Sequence, residues 1–209
     1  MTTIALFGAT GRTGRHVLGQ ALAAGHTVRV LSRRADTIAA DGRVTTIVGD
    51  VLDPAAVSRT VQGADAVISV FGQVKGSPPT LQTRGTELIV YAMHEHKLRR
   101  LISLSGGGLP APQDKPKTAD RIIRLLLRRL SPQVLDDAIS HLEVLRRSGL
   151  DWTVVRGPRL TDGPATGTYR VGWVGVNAST QIARADLARF ILTQLEDDRF
   201  VHELPFVSR

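Results

Sequence analysis

Cysteine is absent from the 209 residues. That excludes a disulfide framework, a thiolate-held zinc and a thiol nucleophile. Aromatic residues make up only 4% of the chain. With no recognised nucleic-acid motif beside the basic residues, the stacking surfaces a nucleic-acid binder needs are missing. No apolar run reaches the ~18 residues of a membrane-spanning helix. No charged leader precedes an apolar core, and Thr3-Ile4-Ala5-Leu6-Phe7 leads directly into glycine, so a cytoplasmic address is expected. Lysine is scarce as well: only four of the 27 Lys and Arg residues are lysine. The formal net charge of +8 is therefore an arginine excess, scattered from Arg12 to Arg209. It suits polyanionic ligands or an anionic surface, but charge alone selects neither. What remains is 42% hydrophobic and 22% charged, an ordinary folded domain.

Short, nearly continuous apolar runs recur at Ile4–Phe7, Val28–Leu31, Val44–Val48, Ala66–Val70, Leu101–Leu104 and Trp152–Val155. Runs of this kind read as strands buried on both faces. Amphipathic helical stripes separate them: Val17, Leu18, Ala21 and Leu22; Leu88, Ile89, Ala92 and Met93; Ile139, Leu142 and Leu145, closing at Gly149; and Leu187, Phe190, Ile191 and Leu195. Alternation of strand and helix predicts an α/β fold with a doubly wound parallel sheet. No linker divides the chain, so 1–209 is expected to be a single Rossmann-type domain with a small C-terminal substrate-side region. The loose stretch Gly106–Thr118 reads as a loop on the ligand-binding edge of that sheet.

The chemistry concentrates after the first strand. Gly8-Ala9-Thr10-Gly11-Arg12-Thr13-Gly14 has the spacing G-x-x-G-x-x-G and opens a helix. Glycines there let the backbone turn tightly and approach a pyrophosphate, whose charge rests on the helix N-terminus. The strand-turn-helix context makes the motif specific. An NAD-selective site places a carboxylate at the end of the second strand for the ribose 2′-hydroxyl. This chain has Ser32-Arg33-Arg34 there, and guanidinium groups favour a 2′-phosphate. NADP(H) is the expected cofactor.

Together with Val48-Gly49-Asp50-Val51, Val144-Leu145-Arg146-Arg147-Ser148-Gly149-Leu150, Asp162-Gly163-Pro164-Ala165-Thr166-Gly167-Thr168-Tyr169 and Ala185-Asp186-Leu187-Ala188, the glycine turn resembles the atypical short-chain dehydrogenases of the NAD(P)H-binding, NmrA-like group, and among them the biliverdin and flavin reductases. The resemblance covers nearly the whole chain. It implies that Gly8 and Thr10, Gly11, Arg12, Thr13 and Gly14 serve the pyrophosphate, and Arg33 with Arg34 the 2′-phosphate. It implies Asp50 and Val51 for the adenine, Phe71 and Gly72 beside the nicotinamide ribose, and Pro158 beside the nicotinamide.

The sequence departs from that pattern at the reacting end. Neither Tyr91 nor Tyr169 has a lysine four residues on, which excludes the Tyr-x-x-x-Lys mechanism. The serine that such reductases carry after the fifth strand aligns with Gly106, beside Ser105, and their histidine after the sixth strand aligns with Arg159. Ser105 and Arg159 are thus the candidates for orienting a substrate, by hydrogen bonding and by charge. His94 and His96 lie two apart on a helix and face different ways. His16 and His26 have no evident partner, His141 reads as a packing residue, and no metal is expected. Arg121–Arg129 forms a basic amphipathic helix, whose leucines are expected to cover the sheet or a substrate pocket rather than a membrane surface. The expected function is an NADPH-dependent reductase acting on a small flat acceptor such as a flavin or quinone. The alternative is a non-catalytic NADP(H) sensor working through a protein partner.

Overall fold

The computed structural model describes residues 1–35, 38, 41–74 and 76–209, and the side chains of all of these but 119, 127 and 130. Ten strands and six α-helices alternate along it: β1 (Thr3–Phe7), α1 (Arg12–Ala23), β2 (Thr27–Ser32), β3 (Val44–Val48), α2 (Pro54–Val61), β4 (Ala66–Ser69), α3 (Leu81–Glu95), β5 (Arg100–Gly106), α4 (Thr118–Leu130), α5 (Pro132–Arg147), β6 (Asp151–Gly157), β7 (Arg159–Thr161), β8 (Arg170–Gly172), β9 (Gln181–Ala183), α6 (Arg184–Thr193) and β10 (Phe206–Ser208). The main sheet runs β3-β2-β1-β4-β5-β6-β10-β8. Its strands are parallel except for β8, which lies antiparallel to β10. The fold is therefore Rossmann-like and doubly wound, with one antiparallel edge added to the expected parallel sheet.

Alternate side chains of each strand leave for opposite faces. Ala5 and Phe7 join Val67, Leu101 and Val154 against α2, α3 and α5, while Ile4 and Leu6 join Ile68, Ile102 and Val155 against α1 and α6. Both faces are covered, so the strands read as continuous apolar runs. Each buried Leu or Ile contributes roughly 1.5–3 kcal/mol through burial. Among the described residues no helix is long and apolar enough to cross a membrane.

Three expectations need correction. Ile139 lies on the outer side of α5 while Leu142 and Leu145 are buried, so the stripe is narrower than the sequence suggested. Ile122, Ile123, Leu125 and Leu126 of α4 are each more than half exposed; they do not cover the sheet. Val44–Val48 is not buried on both faces: β3 is an edge strand, with Thr45 and Val48 exposed. Helix α2, which the sequence does not announce, is capped by Asp53, which accepts the Ala55 N–H at 3.0 Å, with Pro54 in the first turn.

Candidate functional site

The glycine turn sits where β1 meets α1, at the carboxyl end of the parallel sheet. Gly8 adopts φ +89°, and a Cβ there would lie 2.7 Å from the Phe71 nitrogen. At Gly14 a Cβ would lie 2.0 Å from the Gly8 carbonyl oxygen; only glycine lets α1 approach β1 this closely. Gly11 precedes the helix and closes the turn through its N–H to the Gly8 carbonyl at 3.0 Å. The first turn of α1 carries neither a side-chain cap nor an acidic residue. Its leading N–H groups and the positive end of the helix are thus available to an anion. Thr10, Gly11 and Arg12 are exposed beside that end, whereas Thr13 is buried. The donor set and the space fit a pyrophosphate.

Arg12 reaches from the turn to Asp162, whose other carboxylate oxygen accepts from Arg184 Nη1 at 2.6 Å. The hydrogen bond from Arg12 holds the Asp162 carboxyl below the usual carboxylate range. Arg33 and Arg34 follow β2 and are both exposed, and the backbone of Arg34 is fixed by Ser32 Oγ, which accepts its N–H at 3.3 Å and donates to its carbonyl at 2.8 Å. Asp50 follows β3 and accepts the Leu52 N–H at 2.9 Å. Val51 and Phe71 close over Gly85 of α3, where a Cβ would come within 3.0 Å and 2.7 Å of them. The turn, Arg33 and Arg34, Asp50 with Val51, and Phe71 with Gly72 thus stand at successive strand ends along one edge of the sheet.

That edge is braced by a residue the sequence reading missed. Asp137 of α5, 3% exposed, accepts the N–H groups of Gln82 and Thr83 at 2.9 Å each. It also accepts from Thr83 Oγ1 at 2.6 Å and Gln73 Nε2 at 2.8 Å. It therefore caps α3, which has no side-chain cap of its own, and ties down the segment that follows Gly72. Nothing local in the sequence marks this, because cap and helix start are 54–55 residues apart.

Beyond β5 and β6 opens a cavity of about 490 Å³. Gly106, Gly107 and Leu109 form one wall, Pro158 and Arg159 another, and Ile123, Val134, Leu135 and Phe206 supply most of its apolar lining. Arg124 and Arg159 bring positive charge to it. Arg159 is exposed and donates to Gln181 Oε1 at 3.3 Å. Ser105 is one residue short of this lining; it is buried, and its hydroxyl has no hydrogen-bond partner. A larger depression of about 790 Å³, between Asp65, Arg99 and Asp151, lies at the amino-terminal ends of the strands. Ligands of open α/β sheets bind at the opposite edge, so the smaller, apolar cavity is the candidate for chemistry.

The wall next to β5 is held by a buried ion pair. Arg156, with no exposed surface, donates to both Asp114 carboxylate oxygens at 2.8 Å and to the Leu109 and Leu204 carbonyls at 2.7 and 2.9 Å. Burial pushes the Asp114 carboxyl up, but the hydrogen bonds from Arg156 and the Ala111 and Val174 N–H groups outweigh it, leaving it below its ordinary value. The Gly106–Thr118 loop is thus clamped to β6 and to Val174. Asp186, 2% exposed, does the same for the far side. It accepts from the N–H groups of Thr166 and Gly167 at 3.0–3.1 Å, which joins two of the motifs singled out in the sequence.

His26 accepts the Thr2 N–H at 3.3 Å, His94 Nε2 lies 2.9 Å from the Ser148 carbonyl, and His96 Nε2 lies 2.9 Å from Ser58 Oγ. His141 is fully buried on Ser103 Oγ at 2.9 Å, as a packing residue should be.

Comparison with known proteins agrees with this fold. YwnB of Bacillus subtilis is 23% identical over 206 residues, 96% of this chain and 95% of its own. A 53-residue stretch is 51% identical to the hybrid PKS-NRPS synthetase pvhA of Talaromyces variabilis, but it spans 24% of this chain and 1% of that protein. Among solved structures, a short-chain dehydrogenase/reductase of Veillonella parvula in complex with NADP superposes with a TM-score of 0.82 at 20% identity, covering 100% of this chain and 94% of its own. SP1627 of Streptococcus pneumoniae, assigned as an NADH-flavin reductase, gives 0.80 at 23% identity with 100% of both chains covered. The model of the NAD(P)H-binding family matches residues 8–198, and the chain belongs to that family.

Proposed function

We propose that the chain is an NADPH-dependent reductase that passes hydride to a flat conjugated acceptor of the flavin or quinone class. The observation that carries this reading is the apolar cavity of about 490 Å³ at the carboxyl ends of β5 and β6, on the same edge as the glycine turn. Family membership supports the cofactor. Thr10 to Gly14 would hold its pyrophosphate, with Gly8 shaping the turn, and Arg33 with Arg34 would hold its 2′-phosphate. Asp50 and Val51 would flank the adenine, and Phe71, Gly72 and Pro158 the nicotinamide half. NADPH, when bound, supplies the hydride. A flavin or quinone that accepts hydride takes its remaining proton from water, so the reaction does not require the absent Tyr-x-x-x-Lys pair. The protein's work is to orient the acceptor in a dry slot and to neutralise any anionic substituent, the role of Arg159. In this reading a small C-terminal region of the domain lies on the substrate side.

The test is loss of reduced-nicotinamide absorbance with FMN or a short-chain quinone, against a no-protein control. Catalytic loss supports the reading. Absence of turnover by a chain that binds NADPH supports the sensor alternative instead. In the active protein, Arg159→Ala should raise the KM for FMN about tenfold, the loss of one charged hydrogen bond, with the KM for NADPH unchanged. Ser105→Ala, buried and outside the lining, should move it by less than about threefold.

A further inference from the structure

Much of helix α4 is left uncovered by the described residues. It packs chiefly against α5, and Ile122, Ile123, Leu125 and Leu126 each stand more than half exposed. Ile122 and Leu126 are one turn apart and share a stripe with Ile123, while Arg121, Arg124 and Arg128 line the opposite face and Arg129 borders the stripe. The approach to the helix adds Lys115 and Lys117, both exposed. Asp120 is the one acid between Lys115 and Arg129, and its carboxylate is already accepting the Lys117 N–H at 2.8 Å. An exposed aliphatic face backed by a cationic one is the arrangement of a helix that lies in a lipid–water interface.

We propose that α4 is a docking helix that lays this chain on an anionic lipid bilayer. Acyl chains would take Ile122 and Leu126, and lipid phosphates would take Arg121, Arg128 and the two lysines. Charge decides against a second copy as the occupant: it would set side by side two helices that each carry four arginines against the single Asp120. Docking also selects between the two acceptor classes, a step that rests on the reductase reading. Ile123 and Arg124 belong both to this helix and to the cavity lining, so the docked cavity opens at the membrane surface, where a lipid-soluble quinone reaches it.

The experiment is co-sedimentation of the full chain with phosphatidylcholine vesicles, with and without phosphatidylglycerol, at low and high salt. The expected result is binding that rises at least tenfold with the anionic lipid and falls with salt. Ile122→Glu combined with Leu126→Glu should abolish it; both positions are exposed, so circular dichroism should be unchanged. Arg121→Glu with Arg128→Glu should remove the preference for anionic lipid. No vesicle binding, or equal binding to neutral vesicles, overturns the proposal. So does a wild-type dimer in sedimentation that the Ile122→Glu/Leu126→Glu variant converts to monomer, since the stripe is then an interface between copies. None of these results depends on turnover, so they leave the reductase reading intact. If vesicles bind but a long-chain quinone within them is not reduced by NADPH, the choice of acceptor falls and the docking stands.

Discussion

His141 is a residue whose charge the fold decides. Burial holds its pKa down at about 4, against 6.5 in the open, and outweighs the opposite pull of Asp137. The folded chain therefore keeps it neutral, while the unfolded chain takes up a proton as the pH drops below 6.5. Stability from this group is complete above that value and is lost as the pH falls from 6.5 towards 4, by about 3 kcal/mol in all. Urea unfolding at pH 7 and about pH 5 should show much of that loss, and His141→Gln should flatten it. At the cofactor end, Arg33→Asp should weaken NADPH binding by about 1–3 kcal/mol and NADH binding far less. Isothermal titration of both nucleotides checks this, and equal losses would remove Arg33 from the 2′-phosphate. Residues of the glycine turn were legible because their chemistry is local: seven consecutive positions state the turn, the close approach and the helix start. Asp137 and Asp114 were not, since their partners lie 54 and 42 residues away and a lone acidic side chain carries no trace of what it will meet.

At the scale of elements, the start of α3 depends on α5. Truncating the cap, Asp137→Ala, takes the acceptor from the Gln82 and Thr83 N–H groups and leaves the Thr83 hydroxyl only the backbone carbonyl of residue 137, and should cost about 2–4 kcal/mol in denaturant unfolding. Asp137→Asn, which keeps acceptor capacity at one oxygen, should cost less. The six strands the sequence announced are all present, five of them because strands buried on both faces must be largely apolar; β3, at the sheet edge, leaves Thr45 and Val48 exposed. The short strands β7, β8, β9 and β10 went unread for the opposite reason. Three residues at a sheet edge or in a two-stranded ribbon need no apolar pattern, and β10 joins the sheet through partners far away in sequence. Helix α4 is amphipathic as expected and sets Ile123 in the cavity wall, but Ile122, Leu125 and Leu126 face outward, since a hydrophobic stripe states only that something apolar is sought.

For the whole molecule, the buried Arg156–Asp114 pair joins the Gly106–Thr118 loop to β6, which carry two walls of the cavity. Asp114→Ala leaves a buried guanidinium without its counterion and should destabilise the chain by about 3–5 kcal/mol, lowering the melting temperature. A double change to apolar residues should recover much of the stability while loosening the Gly106–Thr118 loop. The overall topology was legible because alternating strands and helices admit few right-handed arrangements. The cavity was not, because its walls come from five separate stretches of chain.

The place of β10 in the sheet has a consequence in time. Phe206 forms part of the cavity and the Leu204 carbonyl receives Arg156, yet both follow every other strand in sequence. On the ribosome, where segments emerge in order, β1 to β5 and the glycine turn are exposed first. A growing chain can thus assemble its nucleotide half while the acceptor slot still lacks a wall. On the proposed function, the capacity to hold the cofactor precedes the capacity to use it, and a chain arrested short of Phe206 should bind NADPH without reducing FMN.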